Sequence, residues 1–220
     1  MPEFILVAGD KNTSSWSLRP WLVLRVAGIA FEEETVRLRL PDSKQNILRH
    51  SPSGFVPALK HDGLVIWDSL AIAEYLGELF PQKQLWPADR AARARARAIS
   101  AEMHSGFQAL RTHMSMDLLG GRPGQGMDQE GVAANIARVQ EIWRDTRAQF
   151  GAGGPFLFGA FSIADAMYAP VVSRFRTYGV ACDAVCTAYM DAVWNLPAMQ
   201  EWIEGARQQP APPKIPEKYI

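Results

Sequence analysis

The stretch "VPALKHDGLVIWDSLAIAEYLGELF", residues 56–80, decides the fold because its patterning changes from strand to helix. Two short apolar segments flank a His-Asp-Gly turn at 61–63, which is a strong hairpin signal. An amphipathic segment then begins at Ser69 and is stopped by Pro81. The stretch therefore predicts two antiparallel strands followed by a helix.

The sequence before this hairpin supplies further elements of the same predicted sheet. "FILVAG" (4–9) has the pattern of a buried strand, and "SLRPWLVLRVAGIAF" has helical apolar spacing. Apolar and charged residues alternate at the end of 32–40, which predicts a second strand. With a short helix or turn over 41–54, the order is β-α-β-α-β-β-α. This order predicts an α/β domain with a mixed sheet.

Helix-forming residues dominate the rest of the chain. We expect one long helix over 90–119, a break at 120–128, and further helices after it. The predicted organisation is an α/β domain (1–80), a linker (81–89), an all-helical domain (90–208) and a Pro-rich tail (209–220). A cleft between two such domains is a usual place for a small-ligand site.

Composition argues against several classes of protein. Lys plus Arg and Asp plus Glu both number 23, so neither nucleic acid nor an anionic membrane is an expected partner. The chain has no apolar run of membrane-spanning length and no signal-peptide pattern, so we expect a cytoplasmic protein. Only Cys182 and Cys186 are present. We expect reduced structural thiols and no metal site.

Hydroxyl side chains crowd the junction between the first strand and the first helix. "GDKNTSSWSLRPW" (9–21) contains four of them, including Ser14, Ser15 and Ser17. A hydroxyl at a helix N-terminus can donate a hydrogen bond to an anion in the field of the helix dipole. It can also serve only as a helix cap. Position alone leaves both interpretations open.

Two further signals lie in the opening stretch. Asp68 and Ser69 end a strand and begin a helix, where they either cap the helix or bind an amino acid's ammonium and carboxylate groups. Pro57 opens a short strand, and a cis bond from Val56 would turn the Val56 backbone toward a peptide ligand.

Together these motifs resemble a known family. "SSWS", "FVPAL", "WDSLAIAEYL" and "FSIADAMYAP" occur in the order found in cytosolic glutathione S-transferases. Residues 4–80 resemble the thioredoxin-like domain of that family, and 90–208 resemble its helical domain. "SSWSLRPW" is similar to the Ser-Ser-Cys-Ser-Trp-Arg pattern of the zeta class and to the Ser-Pro-Phe start of the tau class.

The resemblance implies glutathione as cosubstrate and Ser14 as the residue whose hydroxyl stabilises its thiolate. Ser15 has two open roles, as a second donor or as a cap. Other implied glutathione contacts are the Val56 backbone beside a cis Pro57, Asp68 and Ser69 at the γ-glutamyl end, and Lys44 at the glycyl carboxylate.

The electrophile site is expected on the predicted helix 90–119. His104, Gln108, Arg111 and Ser115 would share one face of it by i, i+3/i+4 spacing. Arg111 would then hold a carboxylate or polarise a substrate oxygen. The alternatives are a solvated face or a dimer contact.

The resemblance implies a homodimer and a transferase that conjugates small electrophiles, as in detoxification. Two alternatives stay open: a glutathione-dependent cis–trans isomerase of an acidic diene, as in zeta enzymes, and a binding protein without chemistry. The zeta pattern has Cys where this chain has Trp16, Arg where it has Trp21 and Gln where it has Asp68. These departures weaken the isomerase interpretation.

Overall fold

The structure, a computed structural model, describes residues 3–211. Its first part is a four-stranded sheet with three helices, in the predicted order. The bounds are β1 (Phe4–Ala8), α1 (Ser15–Val26), β2 (Glu32–Thr35), α2 (Ser43–Leu48), β3 (Ala58–His61), β4 (Leu64–Trp67) and α3 (Ser69–Leu79). A short 3-10 turn follows at Pro81–Lys83.

The sheet has the strand order β2-β1-β3-β4. β1 pairs with β2 in parallel and with β3 antiparallel, and β3 pairs antiparallel with β4. The parallel strands β1 and β2 are connected by the α1 crossover, and the antiparallel strands β3 and β4 form the hairpin around residues 61–63. This confirms the predicted mixed sheet.

The second part contains helices. They are α4 (Arg90–Ser105), α5 (Gln108–His113), α6 (Val132–Phe150), α7 (Ile163–Tyr178), α8 (Ala184–Trp194) and α9 (Pro197–Gln208). The predicted fold class, a thioredoxin-like domain followed by helices, is confirmed. None of the helices described within 3–211 has the length and apolar character needed to cross a membrane.

One hydrophobic core joins the two parts of the chain. Leu18 and Leu22 of α1 are fully buried in the same cluster as Met167 and Phe175 of α7. Helix α1 packs against α3 of the first part and against α7 and α9 of the second. The predicted boundaries at 80, 90 and 208 stay a prediction, and residues 212–220 of the predicted tail lie outside the described residues.

Two predicted elements are shorter than expected. The strand predicted over 32–40 ends at Thr35, because the Asp10 carboxylate accepts the Leu38 N–H at 2.7 Å and Arg39 has a φ of 63°. The long helix predicted over 90–119 breaks after Ser105. There Gly106 is extended and Phe107 is left-handed with its side chain buried.

Candidate active site

The turn between β1 and α1 presents Ser14 at the start of the helix. The Asp10 carbonyl accepts the N–H groups of Thr13 and Ser14, at 3.2 and 2.8 Å. Ser14 occupies the N-cap position, but its hydroxyl makes no capping hydrogen bond. It donates instead to the Ser17 hydroxyl at 2.8 Å, which also accepts the Gly9 N–H at 3.0 Å. The cap interpretation of Ser14 is therefore wrong.

Ser14 and Ser15 are both buried, at 5% and 8% exposure. Gly9 makes the tight approach possible, since a Cβ there would lie 2.9 Å from the Ser14 Oγ. Ser17 lies inside α1 and is fully buried, so it ties the helix to the end of β1 rather than capping it.

A cleft of about 310 Å³ opens beside this turn. Its walls come from α1, the segment before β3, the end of β4, the start of α3, and α4. The lining residues are Trp16, Ser53, Phe55, Val56, Pro57, Trp67, Asp68, Ser69 and His104. The Val56-Pro57 bond is cis. The cleft thus brings together His104 and four predicted glutathione contacts, Val56, Pro57, Asp68 and Ser69. The other predicted site residues are not among its lining residues: Ser14, Ser15, Lys44, Gln108 and Arg111.

The Asp68 carboxylate accepts two N–H groups at the start of α3 and also faces His104. Its Oδ1 accepts the N–H groups of Leu70 and Ala71, at 2.9 and 3.2 Å, so Asp68 and not Ser69 caps the helix. Its Oδ2 lies 3.1 Å from the Nε2 of His104. Asp68 has a φ of 76°, in the left-handed region that non-glycine residues seldom adopt.

His104 connects α4 to this carboxylate across the cleft. Burial lowers the pKa of His104, Asp68 opposes that change, and the guanidiniums of Arg19 and Arg111 add to it. The lowered pKa favours the neutral imidazole at pH 7. Its ring also meets the edge of Trp16, with centroids 5.3 Å apart.

Arg19 is a buried residue that the sequence reasoning missed. Its guanidinium stacks on the Trp16 ring, 4.2 Å from the centroid, and donates to the Ser69 hydroxyl at 3.4 Å. Burial lowers the pKa of Arg19 to about 9, which still leaves it charged at pH 7. The i, i+3 spacing of Trp16 and Arg19 could have indicated that these two side chains contact each other on α1.

The predicted electrophile residues do not lie on one continuous helix. His104 lies in the last turn of α4, whereas Gln108 and Arg111 lie on α5, after the break at Gly106. Arg111 nevertheless turns back, donating to the His104 carbonyl at 3.4 Å and to the Gln108 Oε1 at 2.9 Å. Its guanidinium lies 5.3 Å from the Trp16 ring, so it borders the cleft through Trp16 and His104. The expected shared helical face is wrong because the buried Phe107 ring forces a change of direction.

Lys44 lies at the segment that carries the cis bond. Its Nζ donates to the Gly54 carbonyl at 3.1 Å and lies 4.5 Å from the centre of the Phe55 ring. Over residues 3–211, no group of three or more His, Cys, Asp or Glu side chains is arranged to hold a metal ion. Cys182 and Cys186 are free thiols.

Comparison with known proteins gives matches in both parts of the chain. The model for the N-terminal domain of glutathione S-transferases matches residues 13–79, and the model for their C-terminal domain matches 129–205.

Two curated relatives and one solved structure are similar over much of the chain. A probable maleylacetoacetate isomerase of Caenorhabditis elegans is 36% identical over 115 residues, about half of each chain (52% and 53%). Maleylacetoacetate isomerase of Rattus norvegicus is 29% identical over 80% of each chain. The crystal structure of a glutathione transferase homolog from Burkholderia GL BGR1 with bound glutathione has a TM-score of 0.73. It is 26% identical and the match covers 95% of this chain and 100% of that one.

Proposed function

The chain belongs to the glutathione S-transferase family, and we propose that its Ser14 hydroxyl activates glutathione by donating a hydrogen bond to the cosubstrate sulfur. The thiolate then attacks an electrophilic carbon of a small molecule. A carbon–sulfur bond forms, and the bond to the leaving group breaks or, in an addition, the electron pair moves onto the acceptor.

The observation that carries this proposal is the hydroxyl pair at the start of α1. The Ser14 hydroxyl is not used in capping the helix, and Ser17 holds its oxygen at 2.8 Å. Reversing that one hydrogen bond lets Ser17 donate to Ser14 while Ser14 donates to sulfur.

The required stabilisation of the thiolate is modest. A free thiol has a pKa of about 8.5, and lowering it by about two units needs ~2.7 kcal/mol of preference for the anion. A charge-assisted hydrogen bond and the positive end of α1 together supply an amount of this order. Ser15, the first residue of α1, is a candidate second donor.

The cleft offers matching groups for the rest of glutathione. The backbone of Val56 is proposed to pair with the cysteinyl part, beside the cis Pro57. Ser69 and the N-terminus of α3 suit the γ-glutamyl carboxylate, and Asp68 suits its ammonium. The ammonium would replace His104 at the Asp68 Oδ2. Lys44, near Phe55, is the candidate partner of the glycyl carboxylate.

The electrophile is proposed to bind where Trp16 and His104 form the cleft wall. Gln108 and Arg111 support that wall from α5, with the Arg111 guanidinium against the Trp16 ring. A neutral His104 and an aromatic surface suit a small apolar or aromatic electrophile.

The relatives favour a second candidate, glutathione-dependent cis–trans isomerisation. Both curated relatives described above are named as maleylacetoacetate isomerases, one of them as a probable one. In that chemistry the thiolate adds to a conjugated double bond, the bond rotates, and elimination regenerates glutathione. The large Trp16 at the position of a small residue in the zeta pattern stands against it.

A cytoplasmic homodimer is also proposed. Apolar side chains are exposed near the β4 edge of the sheet: Phe55 at 71%, Leu64 at 54% and Trp67 at 47%. A second copy that covers this edge would remove them from water.

Steady-state kinetics with glutathione and chlorodinitrobenzene tests the proposal. We expect Ser14→Ala to lower kcat/KM by about a hundredfold, as the loss of one key anion-stabilising donor does elsewhere. Ser15→Ala is the matched control and should cost less. An unchanged kcat/KM in Ser14→Ala overturns the proposal. Turnover of maleylacetone without net loss of glutathione would favour the isomerase. Glutathione binding without either activity would indicate a binding protein.

A further inference from the structure

We propose that Asn12 and Trp202 are positioning residues that hold the turn leading into Ser14. Lys11 and Asn12 of this turn are hydrogen-bonded by two segments far along the chain, the loop 117–119 and the segment 202–209, which comprises most of α9 and the residue after it. We call this set of contacts the turn clamp. Its catalytic consequence rests on the proposed function of Ser14, whereas its effect on the turn does not.

Trp202 of α9 and Gln209, the residue after α9, hydrogen-bond to the carbonyl and the N–H of Lys11. The Nε1–H of Trp202, which is fully buried, donates to the Lys11 carbonyl at 2.9 Å. The Lys11 N–H donates to the Gln209 Oε1 at 2.7 Å. The Lys11 ammonium lies 4.3 Å from the centre of the Trp202 ring and pairs with Glu33. A Cβ at Gly205 would lie 2.7 Å from the Lys11 Cδ, so a larger residue there would require the Lys11 side chain to shift.

The loop 117–119 forms hydrogen bonds with both the side chain and the backbone of Asn12. The Asn12 Nδ2 donates to the Asp117 Oδ1 at 2.9 Å, and the Asn12 Oδ1 accepts the Leu119 N–H at 2.9 Å. The Asn12 carbonyl accepts the Leu118 N–H at 3.2 Å. Asp117 is itself held by Arg122, whose Nη2 lies 2.7 Å from its Oδ2. The backbone carbonyl of Asn12 and both the oxygen and the nitrogen of its side-chain amide therefore form hydrogen bonds with the loop 117–119.

The clamp bears directly on Ser14 because the turn is short. Thr13 and Ser14 donate their N–H groups to the Asp10 carbonyl, so residues 10–14 form one hydrogen-bonded unit. A shift of Asn12 is transmitted to a hydroxyl two residues away. Misplacing a reacting group by about 1 Å can lower a rate by about a hundredfold.

An exchange of the Asn12 and Asp117 side chains tests the clamp. Asn12→Asp places two carboxylates together, whereas adding Asp117→Asn restores an amide–carboxylate hydrogen bond with its direction reversed. In Asn12→Asp we expect faster amide hydrogen exchange over residues 10–15, a pKa of bound glutathione closer to the free value, and about tenfold lower kcat/KM. The double variant should recover all three. Asn46→Asp is the control, because it breaks a similar 2.9 Å hydrogen bond to Asp42 on the surface of α2.

A pair of tryptophan variants tests the other side of the clamp. Trp202→Phe removes the Nε1–H donated to Lys11. Trp143→Phe removes an equally buried indole whose Nε1 has no partner among residues 3–211. Both variants lose core volume, so only an effect on residues 10–15 that is specific to Trp202→Phe supports the clamp.

The outcomes separate the clamp from the proposed function. If the native protein does not lower the glutathione pKa, the thiolate chemistry fails, and the exchange data still decide whether the turn is held. Unchanged exchange over 10–15 in Asn12→Asp and Trp202→Phe overturns the clamp. If the native protein lowers the glutathione pKa, and the variants exchange faster without changing that pKa or kcat/KM, the positioning role is overturned.

Discussion

Replacing Asp165 with alanine is expected to lower the free energy of unfolding by ~4 kcal/mol at pH 7. This carboxylate is fully buried at the start of α7. It accepts the Leu157 N–H at 3.0 Å, the Ser162 N–H at 2.8 Å and the Ser162 hydroxyl at 2.9 Å. It is the acidic partner of the capping box that the sequence pattern contains.

The magnitude follows from the two backbone donors that the change leaves behind. Leu157 and Ser162 are buried, and an unsatisfied buried N–H costs ~1–3 kcal/mol. Asp165→Asn keeps one oxygen for Ser162 and loses the bond from Leu157, so it should cost ~1–3 kcal/mol. Ser162→Ala removes only the hydroxyl and should cost ~1 kcal/mol.

The carboxylate also gives this stability a pH dependence. Burial raises the pKa of Asp165 to about 6, above its ordinary value of 3.8. Between these values the folded protein binds a proton that the unfolded chain does not, so stability falls as the pH rises from about 4 to about 6. The loss over this window is ~3 kcal/mol, and Asp165→Asn should lack it.

Urea unfolding of the native protein and the three variants, at several pH values, measures both effects. The order of destabilisation at pH 7 should be Asp165→Ala, Asp165→Asn, then Ser162→Ala. In chains of this size ~1 kcal/mol shifts Tm by ~2–4 °C, so Asp165→Ala should melt ~8–16 °C lower. A loss below ~1 kcal/mol in Asp165→Ala would refute the reasoning, as would a pH slope that Asp165→Asn retains.

Three other predictions concern the site and the thiols. In an NMR titration His104 should have a pKa below its ordinary 6.5, and Asp68→Asn should lower it further because Asp68 raises it; a rise would contradict the assignment. Burial raises the pKa of Cys182 to about 11 and of Cys186 to about 12, so neither thiol should react with Ellman's reagent at pH 8 until urea unfolds the chain. Gly9→Ala should lower both Tm and kcat/KM, since its Cβ would lie 2.6 Å from a neighbouring side chain; native values for both would show that the turn can shift.

Local sequence signals predicted the hairpin and the helix after it. The turn at 61–63 forms as expected between β3 and β4, and α3 begins at Ser69. These signals act within a few residues, so no knowledge of the rest of the chain was needed. The predicted fold class, family and glutathione transferase function are confirmed. They could be predicted from the sequence because each motif that indicates them is a contiguous stretch of residues.

Contacts between distant segments explain what the sequence could not predict. β2 ends early because Asp10, from another loop, takes the Leu38 N–H. The break after α4 depends on a place in the core for the Phe107 ring. In the site, the Asp68–His104 pair and the burial of Arg19 arise only when α1, α3 and α4 come together.

The pKa of glutathione bound to the protein tests the central claim most directly. The ultraviolet absorbance of the thiolate would be titrated with pH for the native protein and for Ser14→Ala, with Ser15→Ala as the companion variant. The account predicts a pKa clearly below that of the free thiol, about 8.5, in the native protein and a return toward that value in Ser14→Ala. A native complex with the pKa of free glutathione, or a Ser14→Ala complex with a pKa as low as the native one, would contradict it.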